Sequence, residues 1–119
     1  MYRVIVTGSR DWVDRKAVEA RLLALHDLHG NDLVVVHGDC PTGADRIAKE
    51  FCEQMGITQD PHPADWDTHG KAAGPIRNKK MVDLGADLVL AFPLGVSRGT
   101  RGCMGLAKNA GIKVLDLGV

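Results

Sequence analysis

The chain has only three cysteines, Cys40, Cys52 and Cys103, an odd number with no Cys-x-x-Cys pair. That pattern offers neither a disulfide framework nor a zinc site. No metal is expected, and packing alone has to hold the fold. A chain of 119 residues can bury enough apolar surface to do so, and its length suggests one domain over residues 1–119. Charge imbalance is also missing: Lys and Arg total 15, as do Asp and Glu, so the formal net charge is zero. A general nucleic-acid binder needs a broad basic face, so nucleic acid is disfavoured as a partner. No apolar run approaches membrane-spanning length, and no membrane partner is expected. The start, Tyr2 to Thr7, reads as a strand and lacks the charged start, apolar stretch and cleavage site of a secretory signal. The default expectation is therefore cytoplasmic. Aromatic residues number five, too few for a run of base-stacking platforms.

Short apolar runs are plentiful. Arg3 to Thr7, Leu33 to His37, Asp87 to Phe92 and Lys113 to Leu117 are almost continuously apolar. Strands buried on both faces of a parallel sheet read this way. A weaker run, Ile57 to His62, falls third in order. Helical periodicity fills the gaps. Val18, Leu22 and Leu25 form one stripe, opened by Asp14 as N-cap. Ala44, Ile47, Ala48, Phe51 and Met55 form another. Thr42 with Asp45 three residues on resembles a capping box. Pro75 suits the first turn of a third helix and Gly85 its exit. Cys103, Leu106, Ala107 and Ala110 make a fourth stripe, closed by Gly111. Strands alternating with helices predict a Rossmann-like three-layer α/β/α fold with a five-stranded parallel sheet. Right-handed crossovers favour the strand order 3-2-1-4-5. Asp60 to Gly74 is expected to be a long irregular stretch.

In such a sheet, ligands sit beyond the strand C-termini where the winding reverses, here between strands 1 and 4. The turns that meet there are rich in glycine: Gly8, Gly38, Gly43 and Gly99. The expectation is that missing Cβ atoms let a phosphate approach backbone N–H groups at helix N-termini. Arg10 and Arg77 are the expected charged ligand groups, because a guanidinium fork matches phosphate oxygens. Arg77 is placed in the first turn of the third helix, where a cation opposes the helix dipole. Asp39 and Asp45 flank the second turn and would hold ribose hydroxyls, a metal or a water, although capping alone also explains Asp45. Ser9, Thr42 and Thr100 carry hydroxyls that either bind phosphate or cap helices. Asn78 would pair with a base or ribose. Trp12 and Trp66 are read as lids or base-stacking groups, with packing as the alternative. Cys40 borders a helix N-terminus, a setting that lowers thiol pKa. His37 is read as a satisfied histidine rather than a base.

Taken together, Val6-Thr7-Gly8-Ser9-Arg10-Asp11-Trp12, His37-Gly38-Asp39-Cys40, Thr42-Gly43-Ala44-Asp45, Ala64-Asp65-Trp66, Gly74-Pro75, Arg77-Asn78 and Gly99-Thr100 resemble the SLOG superfamily. That superfamily groups the SMF/DprA proteins with the LOG phosphoribohydrolases; within it the chain looks like the YspA-like, YpsA-related branch. The resemblance implies a Rossmann-like fold that binds or senses a nucleotide or nucleotide-derived phosphate ligand, such as an ADP-ribose-like or NAD-derived molecule. That nucleotide-type ligand is the only cofactor expected. A homodimer is common among similar proteins. LOG enzymes cleave the N-glycosidic bond of nucleoside monophosphates with an Arg-Lys pair and a glycine-rich motif ending in glutamate. Arg77 matches that arginine, Asn78 replaces the lysine, and Cys103 stands where the glutamate would be. A neutral thiol serves that role poorly. Hydrolysis is therefore the alternative, with Arg77 and Asp39 as its candidate catalytic groups. Single-strand DNA binding through Arg98, Arg101 and Lys108, by analogy with DprA, is a further alternative.

Overall fold

The computed structural model describes residues 1–118. Five parallel strands, β1 (Tyr2–Gly8), β2 (Leu33–His37), β3 (Thr58–Pro61), β4 (Leu88–Phe92) and β5 (Lys113–Asp116), form one sheet in the order β3-β2-β1-β4-β5. This is the predicted Rossmann-like α/β architecture with its predicted order. Side chains of a strand point alternately to its two faces, and both faces are covered. Val4 and Val6 of β1 join Val35, Leu88 and Leu90 in a core shared with α1 (Arg15–His29) and α2 (Gly43–Met55). Ile5 lies in register between Val36 and Val89 on the opposite face. There the cover is Met81 and Val82 of α4 (Ala73–Asp83) and Cys103, Met104 and Ala107 of α5 (Arg98–Asn109). Each fully buried Val or Ile contributes about 1.5–3 kcal/mol by leaving water. Two such layers hold the sheet rigid under the loops at its C-terminal edge. No helix is long and apolar enough to cross a membrane among the described residues.

Three local expectations change. Asp14 caps α1 by accepting from Ala17 N at 3.3 Å, as predicted. Thr42 and Asp45 form no capping box. Thr42 is the N-cap of α2 but its hydroxyl makes no cap bond, and the Asp45 carboxylate turns inward to accept from Gly38 N at 3.1 Å. The predicted irregular stretch carries a one-turn helix, α3 (Trp66–His69), and a 3-10 turn at Gly70–Ala72. Asp65 starts α3 by accepting from Thr68 N at 3.1 Å, and Gly70, at φ +55°, ends it. Because α4 already begins at Ala73, Arg77 lies in its second turn, away from the first-turn amides.

Candidate functional site

A cleft of about 410 Å³ opens at the C-terminal ends of β1 and β2, bounded by α3, α4 and the start of α5. Gly8, Ser9 and Arg10 line it from the loop after β1, and Gly38, Cys40 and Asp45 from the turn into α2. Trp66 forms one rim, Arg77 and Asn78 reach in from α4, and Ser97, Arg98, Gly99 and Thr100 close the far side. The predicted convergence of Arg10 and Arg77 on one cleft is thus present in the geometry.

Arg77 and Asn78 tie the loops together. Arg77 Nη1 donates to Gly38 O at 2.8 Å and to His62 O at 3.4 Å, and its Nε donates to Asn78 Oδ1 at 2.8 Å. The buried Asn78 passes the connection on, with Nδ2 donating to Gly99 O at 3.2 Å. A neighbouring Arg-Asn pair on one helix therefore positions the ends of β2 and β3 and the first turn of α5. Arg77 Nη2 makes no hydrogen bond to protein among the described residues. Arg10 is exposed, its guanidinium carbon 5.2 Å from the centroid of the half-exposed Trp66 ring. A contact of that kind contributes about 0.5–1 kcal/mol at an exposed site. Arg10, Arg77 and Arg98 all lack ion pairs among the described residues. Among the described residues, Asp45 is the single carboxyl lining the cleft, and it is 6% exposed. Burial pushes its pKa up from the usual carboxylate range, against the opposing pull of the Cys40 thiol, His37 and Arg77.

The hydroxyls keep free donors. Ser9 Oγ accepts from Asp11 N at 3.1 Å, and Thr100 Oγ1 accepts from Ser97 Oγ at 2.9 Å. Each hydroxyl proton is then left to donate elsewhere. Ser97 sits at φ +43° at the mouth of α5, a conformation that costs a non-glycine residue about 1–2 kcal/mol. It is held there by a loop that folds back on itself: Arg101 donates to Val96 O and Gly95 O, both at 3.0 Å. Arg101, expected in a basic patch with Arg98 and Lys108, has two of its guanidinium nitrogens engaged by this loop.

Several other expectations are corrected. Trp12 is 5% exposed, packs 5.3 Å from Phe92 and donates its Nε1 to Asp14 O at 3.0 Å. It is a core residue and not a lid. Asp39, at φ +52°, bonds Lys49 Nζ at 3.1 Å and does not line the cleft. Thr42 is exposed outside it. Cys40 gains no activation from its helix: burial first, and Asp45 second, push its pKa up. Burial likewise pushes Cys103 up to about 11, so both thiols are shifted away from the reactive thiolate. His37 is satisfied, as expected. Its Nδ1 accepts from Asp39 N at 3.0 Å while Nε2 meets Gln59 Oε1 at 2.8 Å.

The glycines divide in a way the expectation did not foresee. A Cβ on Gly43 would run into the backbone of Ser9 and Arg10, and one on Gly38 into the Arg77 guanidinium. A Cβ on Gly8 would meet Ala44 and Phe92. Those three positions give room to protein atoms, whereas Gly99 opens onto empty space. Cys40 lines the cleft at the mouth where it was expected, and Ser97 and Arg98 are lining residues not among the expected ligand groups. Arg98 carried the clearest signal, standing directly before Gly99-Thr100.

The chain resembles known proteins in sequence and in fold. Residues 2–69 match the family described as "YspA, cpYpsA-related SLOG family". The Gene 61 protein of Mycobacterium phage D29 is 49% identical over 125 residues, which is 99% of this chain and 98% of that protein. Among solved structures, the C-terminal domain of the PF1911 hydrogenase from Pyrococcus furiosus is similar, with a TM-score of 0.58 and 16% identity. The match covers 97% of this chain and 89% of that one. At that identity the likeness speaks for the fold alone.

Proposed function

For a chain that belongs to the YspA, cpYpsA-related SLOG family, we propose that the cleft binds a nucleotide or nucleotide-derived phosphate ligand, of the ADP-ribose or NAD-derived kind. One observation carries the reading. In a chain of zero net charge, three guanidiniums without ion pairs among the described residues gather around one cleft, and the Asp45 carboxyl that lines it is pushed toward neutrality by burial. Such a surplus of fixed cation favours an anion with several oxygens. Arg77 Nη2, the Ser9 and Thr100 hydroxyls and the open approach over Gly99 supply donors for it. Trp66 offers an aromatic face on the rim for a base. The test is a thermal-shift screen with AMP, ADP-ribose and NAD, followed by calorimetry. At least one ligand should raise the melting temperature. Arg10→Ala, an exposed position, should then weaken binding about tenfold or more, the value of one charged hydrogen bond. If no phosphate ligand stabilises the protein, the reading is wrong.

A second reading, N-glycosidic hydrolysis, is favoured by Asp45. A carboxyl kept toward its protonated form by burial is suited to giving a proton to a departing base. In that reaction water adds to C1′ of a nucleoside monophosphate and the C1′–N bond breaks. Asp45 protonates the leaving nitrogen and recovers a proton from the water, giving free base and ribose 5-phosphate. Asp39, paired with Lys49 outside the cleft, has no part in it. Free base released by the wild type and not by Asp45→Asn would establish this chemistry. Binding without base release would leave the first reading standing alone.

A further inference from the structure

Beyond Arg77 lies a second cleft of about 340 Å³, between the end of β3, the short helix α3 and the outer face of α4. His62 follows β3, Asp65 and His69 bracket α3, and Ile76, Arg77 and Lys80 come from successive positions along α4. Its charges are unevenly committed. Lys79 next door is tied to Asp83 at 2.8 Å, but Lys80 and His69 have no ion pair among the described residues. On the acidic side, Asp65 is engaged with Thr68 N. Asp60, which faces His62 at 3.1 Å, is also held by Arg3 at 2.9 Å. The cleft is thus lined by Arg77 and Lys80, without ion pairs among the described residues, beside the Asp65 carboxylate, which the Thr68 amide engages. Arg77 lines both clefts, its Nη1 fixed on the carbonyls of Gly38 and His62 between them and its Nη2 unspent.

We infer that the second cleft is a subsite for a second phosphate of the ligand held in the first, with Arg77 at the junction, Lys80 as its outer cation and the His69 ring as a further hydrogen-bonding group. The inference rests on the nucleotide reading of the first cleft and narrows the ligand class. Nucleotides carrying phosphates at two separated positions should be preferred over simple monophosphates. The apolar side chain of Ile76 suits a sugar edge beside the anionic group. Trp66 of α3 lines the first cleft, Asp65 and His69 at its two ends line the second, and Arg77 lines both, which makes it the residue a ligand reaching from one to the other would meet.

Calorimetry with AMP and adenosine 3′,5′-bisphosphate tests this on the whole chain. The wild type should bind the bisphosphate about tenfold tighter than AMP, the value of an added charge-assisted contact. In the double variant Lys80→Ala/His69→Gln, both exposed positions, that advantage should vanish while AMP affinity holds. Equal affinity for the two nucleotides in the wild type overturns the inference, as does a variant that loses AMP and bisphosphate alike. If the wild type binds neither nucleotide, the reading of the first cleft fails and this one with it. That outcome is distinct from AMP binding with no bisphosphate preference.

Discussion

Gly43 and Gly99 look alike in the sequence, each beside a strand-to-helix turn, and the fold uses them for opposite purposes. Gly43 sits at φ +74° with the Ser9 and Arg10 backbone in the space of its missing Cβ. Gly43→Ala should cost more than about 2 kcal/mol, from the left-handed backbone and the clash together, and should lower the urea midpoint clearly. Gly99→Ala meets nothing and adds a better helix former, so stability should hold or rise by up to about 1 kcal/mol. A loss of nucleotide affinity in that variant would mark Gly99 as a ligand position. Asp45 shows the same limit of reading from spacing. Three residues after Thr42, it imitates a capping pattern, and only the tertiary fold shows the carboxylate turned to Gly38 N. Its raised pKa has a definite consequence. The native state holds the proton more tightly than the unfolded chain, so the Asp45 contribution is present below the ordinary carboxylate value, about pH 4, and is lost as pH rises through the folded value. Urea unfolding across that range should show the wild type losing stability with rising pH relative to Asp45→Asn. A parallel pair of curves would contradict the assignment.

The long elements were legible because their signals are redundant. Each central strand is an apolar run buried on both sides, and right-handed connections leave few ways to order five of them. α3 was not legible, because Trp66-Asp67-Thr68-His69 has no apolar period. One turn of helix needs only a cap at Asp65 and a glycine at its end, a signature that many irregular loops share. The element matters more than its length suggests, since its residues line both clefts. The two tryptophans make it observable. Trp12 is locked in the core and Trp66 is exposed on the rim, so nucleotide binding should change Trp66 emission alone. The signal should disappear in Trp66→Phe, and an equal change in both proteins would place the ligand elsewhere.

Across the whole molecule, the zero net charge was the least informative number in the sequence, because it averages away a cationic cleft. Screening length falls from about 10 Å at 0.1 M salt to about 3 Å at 1 M. Nucleotide affinity should therefore weaken several-fold between those conditions, while the unfolding midpoint, set by two apolar layers, should move far less. An affinity indifferent to salt would deny the three guanidiniums their role. The match to the family covers residues 2–69, which include the β1 and β2 loops. Arg77 and Asn78, which fasten those loops in place, lie beyond it. The sheet's two rims carry a final consequence. β3 ends in Pro61, which has no N–H to offer, and β5 begins with Lys113 and ends with Asp116, both exposed. Short, charged or proline-bearing margins are poor templates for strand addition. Edge-to-edge growth into fibres is therefore disfavoured at both rims.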